Sequence, residues 1–580
     1  MIAACSPREY ERAFMDLLER AGMNRYFLQF VNLREQATAK AAAQIRGAVA
    51  RVALHRPLET KEIKVCRDVL MIGAGPAGLK AALALAASGR KVLLVEKSPL
   101  LGGMPGRYEE LFPNMECGPC LLEPAIAEVM HGPHSSNLEY LTLAEVVGLK
   151  GYFGNFTVTV RQTARYVDLD TCVGCAECIA PCPVTVPNEF DSGMSSRKAI
   201  AFPYPGALPN VPFLDAASCL RTAGDGCTAC RDACPVEGAV RFDDAPRTFD
   251  RTVGAIVVAV GAGLYDCRQL PELGYGTVPG VYTSLEFERI LASNGPTGGE
   301  LRRHNGDAPK SVAIVHCVGS LSADHMPYCS GVCCNYAFKF NHLIEKKLPG
   351  TKVHHLYRDL VMPGKEEFGL YAHARHNANA SFARYGAGAP VTVKQDAGQA
   401  VVEYPDEQGR SKSVTADMVV LCPAIKASAG AGPLAAILET PCDAFGFFEE
   451  LHGRVDAAQS KVKGIYLAGA CQSPMDIQKA TTQGMASAGY VLSELADGRK
   501  LEADPVTAWV DDERCSRCRT CGSVCPYKAI GFPDDRETAF VNALLCHGCG
   551  ACVAACPAGA MQGNHFENDQ ILAELGAVLA

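Results

Sequence analysis

Asp68-Val-Leu-Met-Ile72 runs directly into Gly73-Ala-Gly75-Pro76-Ala77-Gly78, then into the Ala/Leu-rich stretch Leu79 to Ser88 and the apolar run Lys91-Val-Leu-Leu-Val95, which ends at Glu96. A strand, a G-x-G-x-x-G turn, a helix and a second strand closed by an acid form a dinucleotide-binding βαβ unit. Its glycines permit a tight turn, close approach of the backbone to a pyrophosphate, and close packing of helix on strand. The first N–H groups of the helix lack intrahelical partners and point at the phosphates. Glu96 follows Gly78 by eighteen residues, where a carboxylate accepts hydrogen bonds from an adenosine ribose. A lone glycine triplet says little; here every part is in register, and the reading is an α/β fold with a parallel sheet.

Twenty-eight cysteines in 580 residues set the chemistry. Met1 to Glu11 lacks the charged start and apolar stretch of a signal peptide, and no apolar run approaches the ~18 residues that span a bilayer. A cytoplasmic location is therefore expected, with thiols used for metal or redox chemistry rather than for a disulfide framework. Hydrophobic content of 48% and charged content of 20% read as globular. A net charge of −8 over this length argues against a nucleic-acid partner, which needs a basic face. The length predicts several domains.

Cys515, Cys518, Cys521 and Cys525-Pro526 spell C-x2-C-x2-C-x3-C-P, and Cys546, Cys549, Cys552 and Cys556-Pro557 repeat it. Three close thiolates hold three irons of a cubane, and the fourth ligates the neighbouring cluster. Cys515, Cys518, Cys521 and Cys556 are thus assigned to one [4Fe–4S] cluster, and Cys546, Cys549, Cys552 and Cys525 to the other. Zinc needs four ligands, not paired runs of four. Cys172, Cys175, Cys178 and Cys182-Pro183 begin a second module. Its mate is irregular, with seven residues between Cys219 and Cys227 before Cys230 and Cys234-Pro235. The same crossing rule groups Cys172, Cys175, Cys178 and Cys234, and Cys182, Cys219, Cys227 and Cys230. The Pro/Gly/Ser-rich stretch from Pro187 to Pro212 reads as a long ordered loop.

The nucleotide-binding region resembles two-dinucleotide-binding flavoproteins, which implies FAD. Lys97 and Gly102-Gly103 follow the first unit as in that family. Gly254-Ala-Ile-Val-Val-Ala-Val-Gly261-Ala-Gly263 resembles the strand returning beside FAD, and Gly464-Ile-Tyr-Leu-Ala-Gly469-Ala470 the late motif near the ribityl and diphosphate. That motif usually has Asp after the glycine; here Ala470-Cys471 stands instead. The strand expected to carry a second fingerprint, Ser311-Val-Ala-Ile-Val315, runs into His316-Cys317-Val-Gly319-Ser320. No nicotinamide site is expected.

The whole chain resembles the A subunit of heterodisulfide reductase. The matches include Ala3-Ala-Cys5-Ser-Pro-Arg8, Ala21-Gly-Met-Asn24-Arg-Tyr26, Asn32-Leu-Arg-Glu-Gln36, Val186-Pro-Asn188-Glu-Phe190, Arg197-Lys-Ala-Ile200, Tyr328-Cys329-Ser-Gly-Val-Cys333-Cys334, Ala468-Gly-Ala-Cys471-Gln472 and Asp476-Ile477. The resemblance implies a thioredoxin-reductase-like FAD fold with an inserted and a C-terminal bacterial-type 2[4Fe–4S] ferredoxin domain. Its implied divisions are a shortened N-terminal domain with linker helix (1–62), the FAD domain (63–165 and 245–505, the latter with a degenerate nucleotide-binding subdomain), ferredoxin domains (166–244 and 506–562) and a C-terminal helix (563–580). FAD contacts are implied at Gly73, Gly75, Pro76, Ala77, Gly78, Glu96, Lys97, Gly102, Gly103, Gly261, Gly469, Ala470, Asp476 and Ile477. Cys117, Cys120, Cys317, Cys329, Cys333 and Cys334 also match family positions. They fit either a fifth cluster or, for Cys117 and Cys120, a redox pair near the flavin.

The implied activity is an oxidoreductase working inside a larger redox complex. FAD would exchange electrons with several clusters in bifurcation or confurcation with ferredoxin. A non-bifurcating relay to a disulfide, quinone or other reductase is the alternative, and the missing second fingerprint disfavours a ferredoxin:NAD(P)H oxidoreductase. Implied partners are ferredoxin, the B- and C-type subunits of heterodisulfide reductase, and hydrogenase- or dehydrogenase-linked subunits; homodimerisation is left open. The longest members have an N-terminal cluster domain that is already ending where this chain begins. After Gln36 they continue with a cysteine, where this chain has Ala37-Thr38-Ala39-Lys40, so an N-terminal cluster is not counted. Met475 replaces a lysine that many members place before the Asp476 position, which favours the relay. The tail from Asn568 is expected to form a one-sided apolar helix docking on its own domain.

Overall fold

The expected first strand forms over Val69–Ile72, all four residues buried, and the chain turns at Gly73 into a helix over Pro76–Ala87. This computed structural model describes residues 1–4, 7–33, 38–63, 65–303, 305–386, 390–498, 501–503, 505–527 and 529–580. The motif positions Cys5-Ser6 and Arg34–Ala37 lie outside the described residues. Two compact units are formed, one from Cys66–Asp497 and the other from Met1–Val65 together with Gly498–Ala580.

In the larger unit Val69–Ile72 is an inner strand of a seven-stranded sheet. Its parallel neighbours are Val92–Val95 and Ala255–Val258; Leu138–Leu141 and Ile465–Leu467 continue the sheet outward. Three of these central strands are buried at every position, as parallel strands covered on both faces must be. One cover is the helix pair Pro76–Ala87 and Ile477–Glu494. They approach closely because residue 484 is glycine: a Cβ there would stand 2.4 Å from the Ala77 carbonyl oxygen.

A second parallel sheet has Ser311–Val318 at its centre, flanked by Met418–Pro423 and Lys352–Tyr357, with Val281–Thr283 and Ala380–Arg384 at the edges. A three-stranded antiparallel layer over Thr392–Asp396, Gln399–Pro405 and Ser411–Ala416 lies beside it in sequence. Two parallel nucleotide-binding-type sheets in one unit make this a thioredoxin-reductase-like two-dinucleotide-binding fold. The central strand is longer than the sequence suggested and carries through His316 and Cys317.

The first cysteine module is inserted between Asn155–Gln162 and Arg247–Val253, which pair antiparallel from Phe156↔Val253 to Gln162↔Arg247. The stretch read as a loop from Pro187 to Pro212 is partly strand. Thr185–Pro187 pairs with Ser196–Lys198, and Ile200–Ala201 with Phe213–Leu214. Short strands among Pro, Gly and Ser leave no periodic apolar signal.

In the smaller unit the tail helix Asn568–Leu579 packs on the helix Thr38–Val52, where a Cβ on Gly47 would stand 2.6 Å from Val578. Arg51 donates to the His565 carbonyl, pairs with Glu574 at 2.9 Å and stacks on Phe566. The cysteine-rich module repeats almost dihedral for dihedral. Arg519 and Gly550, both at positive φ, start the short helices Thr520–Val524 and Ala551–Ala555, and Cys525 and Cys556 end them at φ −78°. Among the described residues no helix is long and apolar enough to cross a membrane.

Candidate functional site

The three glycines of the first turn divide their work. A Cβ on Gly73 would lie 2.4 Å from the Ala259 oxygen, and one on Gly78 would lie 2.0 Å from the Gly73 oxygen, so both are required by packing. A Cβ on Gly75 would meet nothing within 4 Å, nor would one on Gly261. Gly75 therefore borders open space at the N-terminus of the helix, the place a pyrophosphate occupies. Gly102 and Gly103, at φ +108° and +67°, press against this turn; the Gly102 N–H donates to the Ala74 carbonyl at 2.8 Å. Glu96 accepts from the backbone N–H groups of Ala74 and Ser98, both at 2.8 Å, which fixes its carboxylate at the strand end with lone pairs to spare. The cradle fits a dinucleotide such as FAD.

Gly469 closes the cradle from the far side. At φ +74° its missing Cβ would stand 2.9 Å from that of Ala77, the first buried residue of the helix. Its N–H donates to Gln483 Oε1 at 2.8 Å, and the Gln483 amide also reaches Gln472. Gln483 escaped sequence reasoning, because its role exists only once two segments meet. Asp476 caps the helix Ile477–Glu494 by accepting from the Lys479 N–H, and its other oxygen pairs with the Lys479 ammonium at 2.8 Å. Ala470 lies in the turn Gly469–Cys471, and Ile477 is the first helical residue. Lys97 points into solvent and pairs loosely with Glu145.

A second anchor also went unread. Arg289, fully buried, pairs with buried Asp191 at 2.8 Å and donates to the carbonyls of Arg107 and Asn294. It thereby ties the segment after Gly103 to the inserted module. Beside it Lys339 and Glu288 form a second buried ion pair.

The cysteines gather in crossed sets. One cavity is lined by Cys515, Cys518, Cys521 and Cys556, a second by Cys182, Cys219, Cys227 and Cys230, and a third by Cys172, Cys175, Cys178 and Cys234. Each recess gathers the four thiols of one crossed set. Cys552 feels the charges of Cys546 and Cys525, the remaining crossed set. Among the described residues no three His, Cys, Asp or Glu side chains converge tightly enough for a single metal ion. Four thiols on largely apolar walls, such as Ala539, Ala558, Ala560 and Met561 at the first, suit a cubane. Backbone N–H groups already reach the sulfurs: Ala529 donates to Cys525, Ala560 to Cys556 and Ala508 to Cys546, at 3.3–3.4 Å. Such bonds help to set cluster potential. Burial first, then neighbouring thiols, pushes Cys178 up to about 12 and Cys230 and Cys552 to about 11. As free thiols they are neutral; the charge of iron is what draws them into the ligating form.

The six remaining candidate cysteines separate into two groups. Cys317, at the end of the central strand of the second sheet, lies within electrostatic reach of Cys329, Cys333 and Cys334, and buried Cys422 stands beside them. The Gly331 N–H donates to Cys329 at 3.3 Å. These thiols stand where a nicotinamide-binding domain has its glycine turn. Cys117 and Cys120 are joined as a disulfide.

A thioredoxin-reductase-like FAD fold carrying [4Fe–4S] centres defines a flavin- and iron–sulfur-containing electron-transfer oxidoreductase. Residues 68–107 match the FAD dependent oxidoreductase family and residues 507–557 the 4Fe-4S dicluster domain. The full chain is 37% identical to the iron-sulfur A subunit of the CoB--CoM heterodisulfide reductase of Methanocaldococcus jannaschii, covering 89% of that protein. It is 38% identical over its full length to the A subunit of the H(2):CoB-CoM heterodisulfide,ferredoxin reductase of Methanothermobacter thermautotrophicus, covering 88% of it. The A subunit of the Ferredoxin:CoB-CoM heterodisulfide reductase of Methanosarcina mazei is also 38% identical, with 73% of its length covered. Lactococcus lactis thioredoxin reductase superposes on 73% of this chain and 98% of its own at 15% identity, with a TM-score of 0.41. The chain belongs to the family of heterodisulfide reductase A subunits.

Proposed function

We propose that this chain is the flavin junction of a multi-subunit redox complex. Sixteen cysteines in crossed sets hold four [4Fe–4S] clusters, and Cys317, Cys329, Cys333 and Cys334 hold a fifth. FAD, when bound, exchanges electrons in pairs, whereas each cluster passes them singly. Glu96 holds the ribose, the Gly75 turn and the helix N-terminus take the pyrophosphate, and Gly102-Gly103, Gly261 and the Gly469–Ala470 turn enclose the rest. Asp476 and Ile477 start the helix that backs the site. The observation that carries this reading is the gathering of thiols at the end of the second sheet, where a second nucleotide-binding unit would carry its glycine turn; it supports electrons coming and going through clusters and partners.

The overall reaction in this reading is bifurcation or confurcation involving ferredoxin, in a cytoplasmic complex that also holds B- and C-type subunits and hydrogenase- or dehydrogenase-linked ones. The names of the Methanothermobacter and Methanosarcina relatives, which include ferredoxin, support it. Anaerobic purification with bound subunits, followed by a two-acceptor assay, is the test. Bifurcation requires that ferredoxin and a high-potential acceptor are reduced only together. Reduction of either one alone would instead establish the simple relay, which Met475 favours.

A further inference from the structure

Neither the flavin cradle nor any of the three cysteine-lined cavities described above uses Cys117-Gly-Pro-Cys120. Its disulfide is the only one among the described residues. Cys117 is the N-cap of the helix Gly118–His131, and its sulfur accepts the Cys120 N–H at 3.3 Å. Cys120 is exposed, as is Leu121 beside it, whereas Cys117 is half-buried. A helix N-terminus favours negative charge on a sulfur at its cap. The two sulfurs therefore differ: the outer one can be reached, and the inner one is the better leaving group.

The pair also sits at a junction. The hairpin Glu110–Leu111 and Glu116–Cys117 leads into it, and Phe112 and Met115 between those strands pack against the cluster of Cys334 and Phe338. On the helix, Leu122 and Ile126 stand 3.2 Å from where a Cβ of Gly102 would be. One short element thus touches both the flavin loop and the four-thiol site.

We propose that Cys117–Cys120 is a thiol–disulfide exchange site for a dithiol partner, either a small dithiol or a reduced protein. A partner thiolate attacks the Cys120 sulfur, a mixed disulfide forms, the Cys117–Cys120 bond breaks, and Cys117 departs as a thiolate held by the helix end. The partner's second thiol then attacks its own sulfur in the mixed disulfide and releases Cys120. Two electrons and two protons pass from partner to chain; the partner leaves as a disulfide and both cysteines are thiols. A disulfide partner runs the same steps in reverse. This inference is independent of how many clusters the chain holds.

The test uses the anaerobically purified full chain with its cofactors, incubated in buffers of reduced and oxidised dithiothreitol, quenched by alkylation and read by peptide mass spectrometry. The expected result is that the native protein loses or regains the disulfide within minutes as the ratio changes. Glutathione should leave its mixed disulfide on Cys120 in large excess over Cys117. Cys120→Ser should keep the iron-to-flavin ratio of the parent. A disulfide that opens only after denaturation overturns the proposal, and so does a loss of about four irons per FAD in Cys120→Ser, which would place that sulfur on a cluster.

Discussion

Gly75 and Gly73 stand two residues apart and demand different outcomes on substitution. Gly75 has an ordinary φ of −76° and open space before it, so Gly75→Val keeps the fold but fills the pyrophosphate position. FAD retention, measured by flavin-to-protein ratio after desalting, should fall about tenfold or more, equivalent to about 1.4 kcal/mol. Gly73→Val drives a side chain into the Ala259 carbonyl at positive φ, and soluble folded protein itself should be lost. Arg289 makes a second case. Arg289→Met strands the buried Asp191 carboxylate, a change that costs about 3–5 kcal/mol and should appear as a lowered melting temperature. Adding Asp191→Asn removes the stranded charge and should recover part of the loss. Local spacing made the glycine turn and the cysteine runs legible, because such a turn, and three of the four thiols that line each cavity, lie within one short stretch, whereas the fourth thiol arrives from the other run. Arg289 and Gln483 were invisible in the sequence, since each acts on a segment more than ten residues away through contacts that only folding creates.

Among the elements, the joint between Thr38–Val52 and the C-terminal helix carries a built-in acid limit. His55 and His565 stack at 4.0 Å; His55 donates through Nδ1 to the Tyr26 carbonyl and His565 through Nε2 to that of Arg56. Burial, then the facing His565, pushes His55 down to about 4, and burial lowers His565 as well. Both rings are neutral in the folded protein while the unfolded chain takes up protons below about 6.5. Stability is therefore full above that pH and falls as pH drops from 6.5 toward 4, by up to about 1.4 kcal/mol per pH unit for His55, with His565 acting in the same direction. His55→Phe preserves the stack without a site to protonate, and its melting temperature should decline less over that window than the parent's. The tail was readable as a helix, but its expected apolar face is not what docks: Ile571, Leu572, Leu575 and Leu579 are exposed, and Val578 with Glu574 meets Gly47 of Thr38–Val52, a partner nothing local links to it.

For the whole molecule the cofactor count is the sharpest measurement. Five clusters require about twenty irons per FAD, four require about sixteen, and Cys329→Ser should separate the two by losing about four. Crossed ligation has its own signature. Cys556→Ser should abolish the cluster on Cys515, Cys518 and Cys521, seen as the loss of one set of paramagnetic signals, although the substitution falls in the other run. A fourth cysteine serving its own run would give the opposite pattern.

The inserted cysteine module imposes an order on synthesis. Ala255–Val258, which must lie against Val69–Ile72, leaves the ribosome only after the whole insertion has been made. The hairpin Asn155–Gln162 with Arg247–Val253 forms the neck of that insertion, so its two strands meet only when the residues between them have been drawn together. With the clusters proposed for the insertion, iron delivery to the nascent chain would be a checkpoint for the flavin sheet. In a cell short of iron or sulfide, the first symptom would be a chain unable to close its neck, exposing an unpaired parallel edge to proteases and to other nascent chains.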